Sequence, residues 1–183
     1  HNGINPDLSR YYGTYSTGHN SIPYFWPVIP MPLEIERKYL VTSDAYKAGA
    51  KSVEITQVYL TIQDNLAIRV RIEEHHASIA IKSKISERVN REYEYNIPLD
   101  EARSLMNLSQ HSAITKTRHL VDYKNHLWEV DEFHGENEGL IVAEIELDDE
   151  NEKFEIPPWL GEEVTADYRY LNSNLSKSPY KTW

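Results

Sequence analysis

The chain has 183 residues, with 19 Lys and Arg against 29 Asp and Glu, a formal charge of −10 and no cysteine. The acidic balance disfavours a nucleic-acid or anionic-membrane partner, since positive fields recruit those. The missing thiols exclude disulfides and thiolate metal sites, leaving oxygen or imidazole ligands and hence hard ions such as Mg²⁺ or Mn²⁺.

Residues 1–30 are rich in aromatics and proline, poor in charge and without periodicity, and they read as an extension that is either foreign to the domain or docked on it through its aromatics. Met31 would suit a start, and residues 31–183 read as a single domain. From Pro32 onward the dominant pattern is alternation of period 2. It predicts strands over Leu33–Val41, Ile55–Gln63, Leu66–Glu73, Ser78–Ser83, Asn90–Ile97, Ile114–Tyr123, His126–Phe133 and Leu140–Leu147. A short helix with an acidic cap is expected over Asp100–Asn107. A second is expected from Thr165 to about Ser176, with Tyr168, Leu171 and Leu175 as its apolar stripe. Asp148–Lys153 reads as a turn or a helical start. About eight antiparallel strands with few helices imply a mainly β (α+β) barrel or strongly curved sheet, because closure removes exposed edges. No apolar run approaches the ~20 residues of a membrane helix and none reads as a signal peptide, so a cytoplasmic protein is expected.

Seven strands carry a charged pair at i and i+2: Glu34/Glu36, Arg69/Arg71, Lys82/Lys84, Glu92/Glu94, Lys116/Arg118, Glu129/Asp131 and Glu144/Glu146. A sheet with one wet face would give single pairs of this kind. The whole set, with Tyr39, Val70, Tyr93 and Val130 on the opposite parity, points instead to a charged lumen with apolar residues facing outward. Three of the pairs, Glu34/Glu36, Glu129/Asp131 and Glu144/Glu146, offer oxygen ligands for one or two divalent ions. Arg69, Arg71, Lys82, Lys116 and Arg118 offer charge-assisted donors to phosphate oxygens. A metal bound to polyphosphate needs both sets at once.

The opening Glu34-Ile35-Glu36-Arg37-Lys38 has the form E-x-E-x-K. With the ordered pairs that follow it, and with the tail Trp159–Thr165, Asp167, Arg169-Tyr170 and Asn172, residues 33–176 resemble the CYTH, or triphosphate tunnel metalloenzyme, superfamily. The likeness is to its short bacterial inorganic triphosphatases. It implies an eight-stranded tunnel with a C-terminal helix plugging one end. It also implies metal binding by Glu34, Glu36, Asp131, Glu144 and Glu146, and triphosphate binding by Arg69, Arg71, Lys82, Lys116 and Arg118. Lys38 and Tyr59 would be the groups that orient or deprotonate the attacking water. Leu171 stands where the family commonly has lysine, which argues against phosphate binding by the tail. Whether Glu92, Glu94, Lys84 and Arg91 belong to the site is left open.

No H-x-x-x-H, H-E-x-x-H or G-x-x-x-x-G-K-[ST] pattern offers a rival metal or phosphate site. The expected activity is metal-dependent hydrolysis of a linear triphosphate, with inorganic tripolyphosphate as the small-molecule substrate and Mg²⁺ or Mn²⁺ as cofactor. The alternatives are a nucleoside or thiamine triphosphatase, an adenylyl cyclase and a non-catalytic polyphosphate-binding module. A homodimer stays open.

Overall fold

The computed structural model describes residues 33–183; the predicted extension over residues 1–30 and the start at Met31 lie outside the described residues. The strands are β1 (Leu33–Val41), β2 (Lys51–Gln63), β3 (Leu66–Glu73), β4 (His76–Lys84), β5 (Val89–Asn96), β6 (Ile114–Tyr123), β7 (His126–Phe133), β8 (Ile141–Leu147) and β9 (Leu160–Glu163). All the pairings are antiparallel, in the order β5-β4-β3-β2-β6-β7-β8-β1. The barrel closes where Leu33–Ile35 of β1 pairs with Val89–Arg91 of β5. Tight hairpins set the register: Lys124 and Asn125 between β6 and β7 have φ of 48° and 69°, the doubly left-handed form that matches strand twist.

Alternation divides each strand into a lumen face and an outer face, and the apolar residues take the outer one. On β1, β7 and β8, Tyr39, Trp128, Val130, Ala143 and Ile145 pack outward under Tyr46 and Trp159. Tyr39 and Trp128 meet edge to face with centroids 5.7 Å apart. On the opposite side Val58, Val70 and Ala77 are covered by Ala102 of α1 (Leu99–Met106). The N-cap of that helix is Pro98, with Asp100 in its first turn rather than capping it. Each fully buried Val, Leu or Ile stabilises by about 1.5–3 kcal/mol, so these shells hold the barrel and leave the lumen free to be polar.

Two features differ from expectation. β9 was not foreseen; it lies on the far end of β1, beyond the part used by β5, with Tyr39 opposite Glu163 and Val41 opposite Leu160. Arg37 grips Glu163, Nε to Oε1 at 2.9 Å, and a Cβ on Gly161 would come 2.8 Å from Cγ2 of Thr42. The predicted Thr165–Ser176 helix is broken. Thr165 accepts a hydrogen bond from the backbone N–H of Lys38 at 3.0 Å and so extends the β9 contact instead of capping a helix. Leu171 has extended backbone (φ −70°, ψ 131°), dividing a 3-10 turn at Tyr168–Tyr170 from the one-turn helix α2 (Asn172–Leu175). The segment still closes one end of the barrel, because Leu175 is buried among the lumen-facing Ile114, Phe133 and Val142. Among the described residues no helix is long and apolar enough to cross a membrane.

Candidate active site

Register brings the charged pairs together. Glu36 stands opposite Glu146, Lys38 opposite Glu144, Glu129 opposite Glu144, Lys82 opposite Glu92 and Glu34 opposite Asn90. They enclose a cavity of about 890 Å³ whose wall includes Glu34, Glu36, Lys38, Arg69, Arg71, Lys82, Arg118, Glu144 and Glu146. Nine of the twelve residues predicted for the site are thus in one wall. Of those left open, Glu92, Glu94 and Lys84 line it too, whereas Arg91 pairs with Leu33 on the outer parity.

The upper wall is an ion lattice around two lysines. Lys82 contacts Glu34, Glu36 at 3.5 Å and Glu92 at 3.3 Å, and together these three carboxylates outweigh burial and raise its pKa. Because one ammonium is shared three ways, burial wins at Glu34, whose carboxyl is pushed up to about 8 with Glu36 and Glu92 adding to the effect. Lys38 contacts Glu144 and, at 3.7 Å, Glu36. Burial alone would push Lys38 down, but Glu144 and Glu36 hold it above the ordinary lysine value. Such an ammonium stays charged at neutral pH. It can donate to a water or a phosphate but cannot take the proton of a water, so the deprotonating half of the expectation for Lys38 is corrected here. Glu144 is held ionised against its burial by Lys38, Arg118 and Lys116.

Below the cavity lies a second layer that the sequence did not separate from the first. Asp131 and Lys116 are fully buried and neither lines the cavity. Arg118 grips Asp131 with Nε to Oδ1 at 2.7 Å and Nη2 to Oδ2 at 2.8 Å, and Lys116 donates to the same Oδ2. Both oxygens of Asp131 are therefore occupied by cations, which sets it apart from the four carboxylates that face open space. Burial and the nearby Arg118 push Lys116 down to about 7. Tyr59 is also buried; it accepts from Nε2 of Gln57 at 3.5 Å, and burial raises its phenol despite Arg69, Lys82 and Arg71. Among the described residues no hydrogen bond joins it to Lys38.

Arg71 behaves differently from the other wall cations. Among the described residues it makes no ion pair, and its Nε donates only to Oε1 of Gln57 at 3.4 Å. Burial, Arg69 and Arg118 lower its pKa, yet a guanidinium stays charged at any working pH. An anion entering the cavity would find its donors free.

Four wall elements were missed. Asn90 donates from Nδ2 to Oε1 of Glu36 at 3.2 Å, and its period-2 relation to Glu92 was the available signal. Glu129, counted in a carboxylate pair but given no role, lines the cavity and holds Arg118. Asn172 and Lys177 reach the cavity from the closing segment with no sequence periodicity to announce them.

Among the described residues the cavity is lined by ten carboxylates and seven cations. No three carboxylate or imidazole groups among the described residues are gathered for one ion as they stand; Lys38 and Lys82 lie between Glu34, Glu36 and Glu144. The donors are nevertheless hard oxygens around open volume, of the kind that binds Mg²⁺ or Mn²⁺. A wall with surplus negative charge also needs added positive charge before a polyanion can enter, so the residues fit a divalent ion.

The chain is 46% identical over 154 residues to an inorganic triphosphatase of Acetivibrio thermocellus, covering 84% of this chain and 99% of that protein. It is 33% identical over 150 residues to an inorganic triphosphatase of Nitrosomonas europaea, covering 79% and 97%. A crystal structure of an inorganic triphosphatase superposes with a TM-score of 0.58 at 33% identity, covering 78% of this chain and 93% of the other. A Pyrococcus horikoshii protein at 21% identity and TM-score 0.52, covering 64% and 80%, shares the fold alone. Residues 32–179 match the CYTH domain model, and with the closed barrel and its charged lumen they show that this chain belongs to the CYTH domain family.

Proposed function

We propose that this protein is an inorganic triphosphatase that removes the terminal phosphoryl group of tripolyphosphate. The carrying observation is a single cavity that holds Arg69, Arg71, Lys82 and Arg118 together with the open carboxylates Glu34, Glu36, Glu144 and Glu146. The likeness to two inorganic triphosphatases, each covered over nearly its full length, supports the same reading.

The CYTH triphosphatases are metal-dependent in general, and here Glu34, Glu36, Glu144 and Glu146 would hold Mg²⁺ or Mn²⁺. When bound, the ion supplies charge neutralisation and lowers the pKa of water. The protein's own part is electrostatic and positional. Arg69 and Arg71 grip phosphate oxygens, Arg71 without first breaking an ion pair. Arg118, fixed by Asp131 and Lys116, presents its remaining donor edge upward. Lys38, held charged, orients the attacking water beneath the terminal phosphorus. The water oxygen bonds to that phosphorus, and the bond to the bridging oxygen breaks. That oxygen leaves with pyrophosphate, and the water proton ends on the released orthophosphate. Asp131 and Lys116 act by positioning, and Tyr59, protonated and buried, supports Arg69 from below. Residues 31–183 form the working unit, and neither nucleic acid nor a membrane is a partner.

Phosphate release from tripolyphosphate, ATP and thiamine triphosphate with Mg²⁺ or Mn²⁺ tests this. Adenosine removes a terminal charge and meets no base-reading groups in this wall. A loss of 2–3 kcal/mol in transition-state binding lowers kcat/KM by roughly 30- to 150-fold. ATP turned over or cyclised with kcat/KM equal to that of tripolyphosphate would overturn the assignment.

A further inference from the structure

A second, smaller cavity of about 80 Å³ adjoins the first, lined by Arg71, Glu73, His76, Ala77, Ser78, Glu94 and Asn96. Arg71 and Glu94 line both cavities, so their side chains form the partition between them. The register explains the arrangement: Arg71 lies opposite Ser78, Ser78 opposite Asn96 and Glu73 opposite His76, all on the lumen parity of β3, β4 and β5. His76 and Asn96 are exposed, and Ser78 is buried. The smaller cavity is therefore a second mouth of the lumen, away from the end closed by Leu175.

We propose that this second mouth is the exit site for orthophosphate, with Arg71 passing the cleaved ion from the main cavity to a subsite made by Ser78, His76 and Asn96. The inference rests on the triphosphatase reading of the main cavity and adds a route to it. Its size suits the task. On the scale of about 30 Å³ per liquid water, 80 Å³ holds one small oxyanion and excludes a chain of two phosphates, so the two products separate by size. Its donors suit it too. The Ser78 hydroxyl, the Asn96 amide and the His76 ring all donate hydrogen bonds to oxyanions, and Arg71 makes no ion pair among the described residues. Glu73 and Glu94 oppose an anion there. Glu94 is bound by Arg69 at 2.9 Å, but Glu73 is not neutralised by a cation among the described residues. The balance favours weak, brief occupancy, as release requires, over storage.

Two variants of the exposed Asn96 test the proposal, since substitution there leaves the buried shells untouched. Asn96→Trp fills the mouth, and Asn96→Asp keeps the shape while adding negative charge. Orthophosphate is titrated into each protein while the ring signals of His76 are followed by NMR, and tripolyphosphate turnover is measured by rapid mixing. In the unaltered protein, orthophosphate should shift the His76 signals, and Asn96→Asp should weaken that response about tenfold. Asn96→Trp should abolish the shift and lower kcat at least fivefold without raising KM. It should also show a burst of one phosphate per site, which marks release of the product and not binding of added orthophosphate as the affected step. His76 signals indifferent to orthophosphate would overturn the proposal, as would Asn96→Trp with unaltered kcat. The two readings separate cleanly. A His76 response in a protein that does not cleave tripolyphosphate keeps the subsite and removes the triphosphatase, whereas cleavage without that response does the reverse.

Discussion

Replacing Glu34 by glutamine should stabilise the metal-free protein, by an amount that depends on pH in a defined way. The Glu34 carboxyl is raised from 4.5 to about 8, first by burial and then by Glu36 and Glu92. Its side chain is 21% exposed, so solvent screens it little. Between those two values the folded state binds a proton that the unfolded state has released, so stability falls as pH rises, by about 1.4 kcal/mol per pH unit. At pH 7 the accumulated penalty is about 3 kcal/mol, and above pH 8 it levels off near 5 kcal/mol. Glutamine has nearly the same shape and no proton to hold, so Glu34→Gln should match the parent near pH 4.5, exceed it by about 3 kcal/mol at pH 7 and keep a constant lead above pH 8. Urea denaturation in the presence of a chelator, from pH 4.5 to 9, measures the difference curve. Added Mg²⁺ should reverse the order at neutral pH, because an ion that binds only the folded parent stabilises only the parent. A flat difference curve, or a variant less stable than the parent at pH 8, would refute the account of Glu34 as a buried carboxyl crowded by its neighbours.

Glu36→Gln should abolish tripolyphosphate cleavage with Mg²⁺ or Mn²⁺ while leaving the circular dichroism spectrum unchanged; turnover without added divalent ion would contradict the role given to Glu36. Asp131→Asn strands Arg118 and Lys116 without their shared counterion, and removing one partner of a buried ion pair costs about 3–5 kcal/mol. In a domain of this size that lowers Tm by roughly 6–20 °C, readable by calorimetry, and a shift under 2 °C would show that the Asp131 layer is not what fixes Arg118. A chain beginning at Met31 should keep the kcat/KM of the full chain for tripolyphosphate, and a tenfold loss would place residues 1–30 in the working unit.

What the sequence shows depends on whether a structure is set by neighbours along the chain or across it. β1, β3, β6 and β7 have the bounds that alternation predicts, because a strand buried on its outer face must alternate whatever lies beside it. β9 could not be seen this way: four residues that include Gly161 carry no pattern of their own, and they form a strand only because β5 pairs with one end of β1 and leaves the other to be covered. The Thr165–Ser176 stripe failed for a related reason. Tyr168 is 68% exposed while Leu175 is fully buried, so residues spaced for one helical face serve different surfaces, and the tie from Lys38 to Thr165 decides the path of the chain.

At the site, parity identified which charges share the lumen but not their depth within it. Lys116 and Arg118 are two residues apart on one face of one strand, yet Arg118 lines the cavity and Lys116 lies beneath it. Depth along a tilted strand is set by the shear of the closed barrel, which comes from pairing all eight strands and from no one of them. That is why Asp131 reads as a metal ligand in the sequence and stands in the structure as the anchor of Arg118. A carboxylate with both oxygens already bound to cations has little to offer a divalent ion, whereas Glu34 and Glu146, at the open end of the same lumen, retain the freedom to turn toward one.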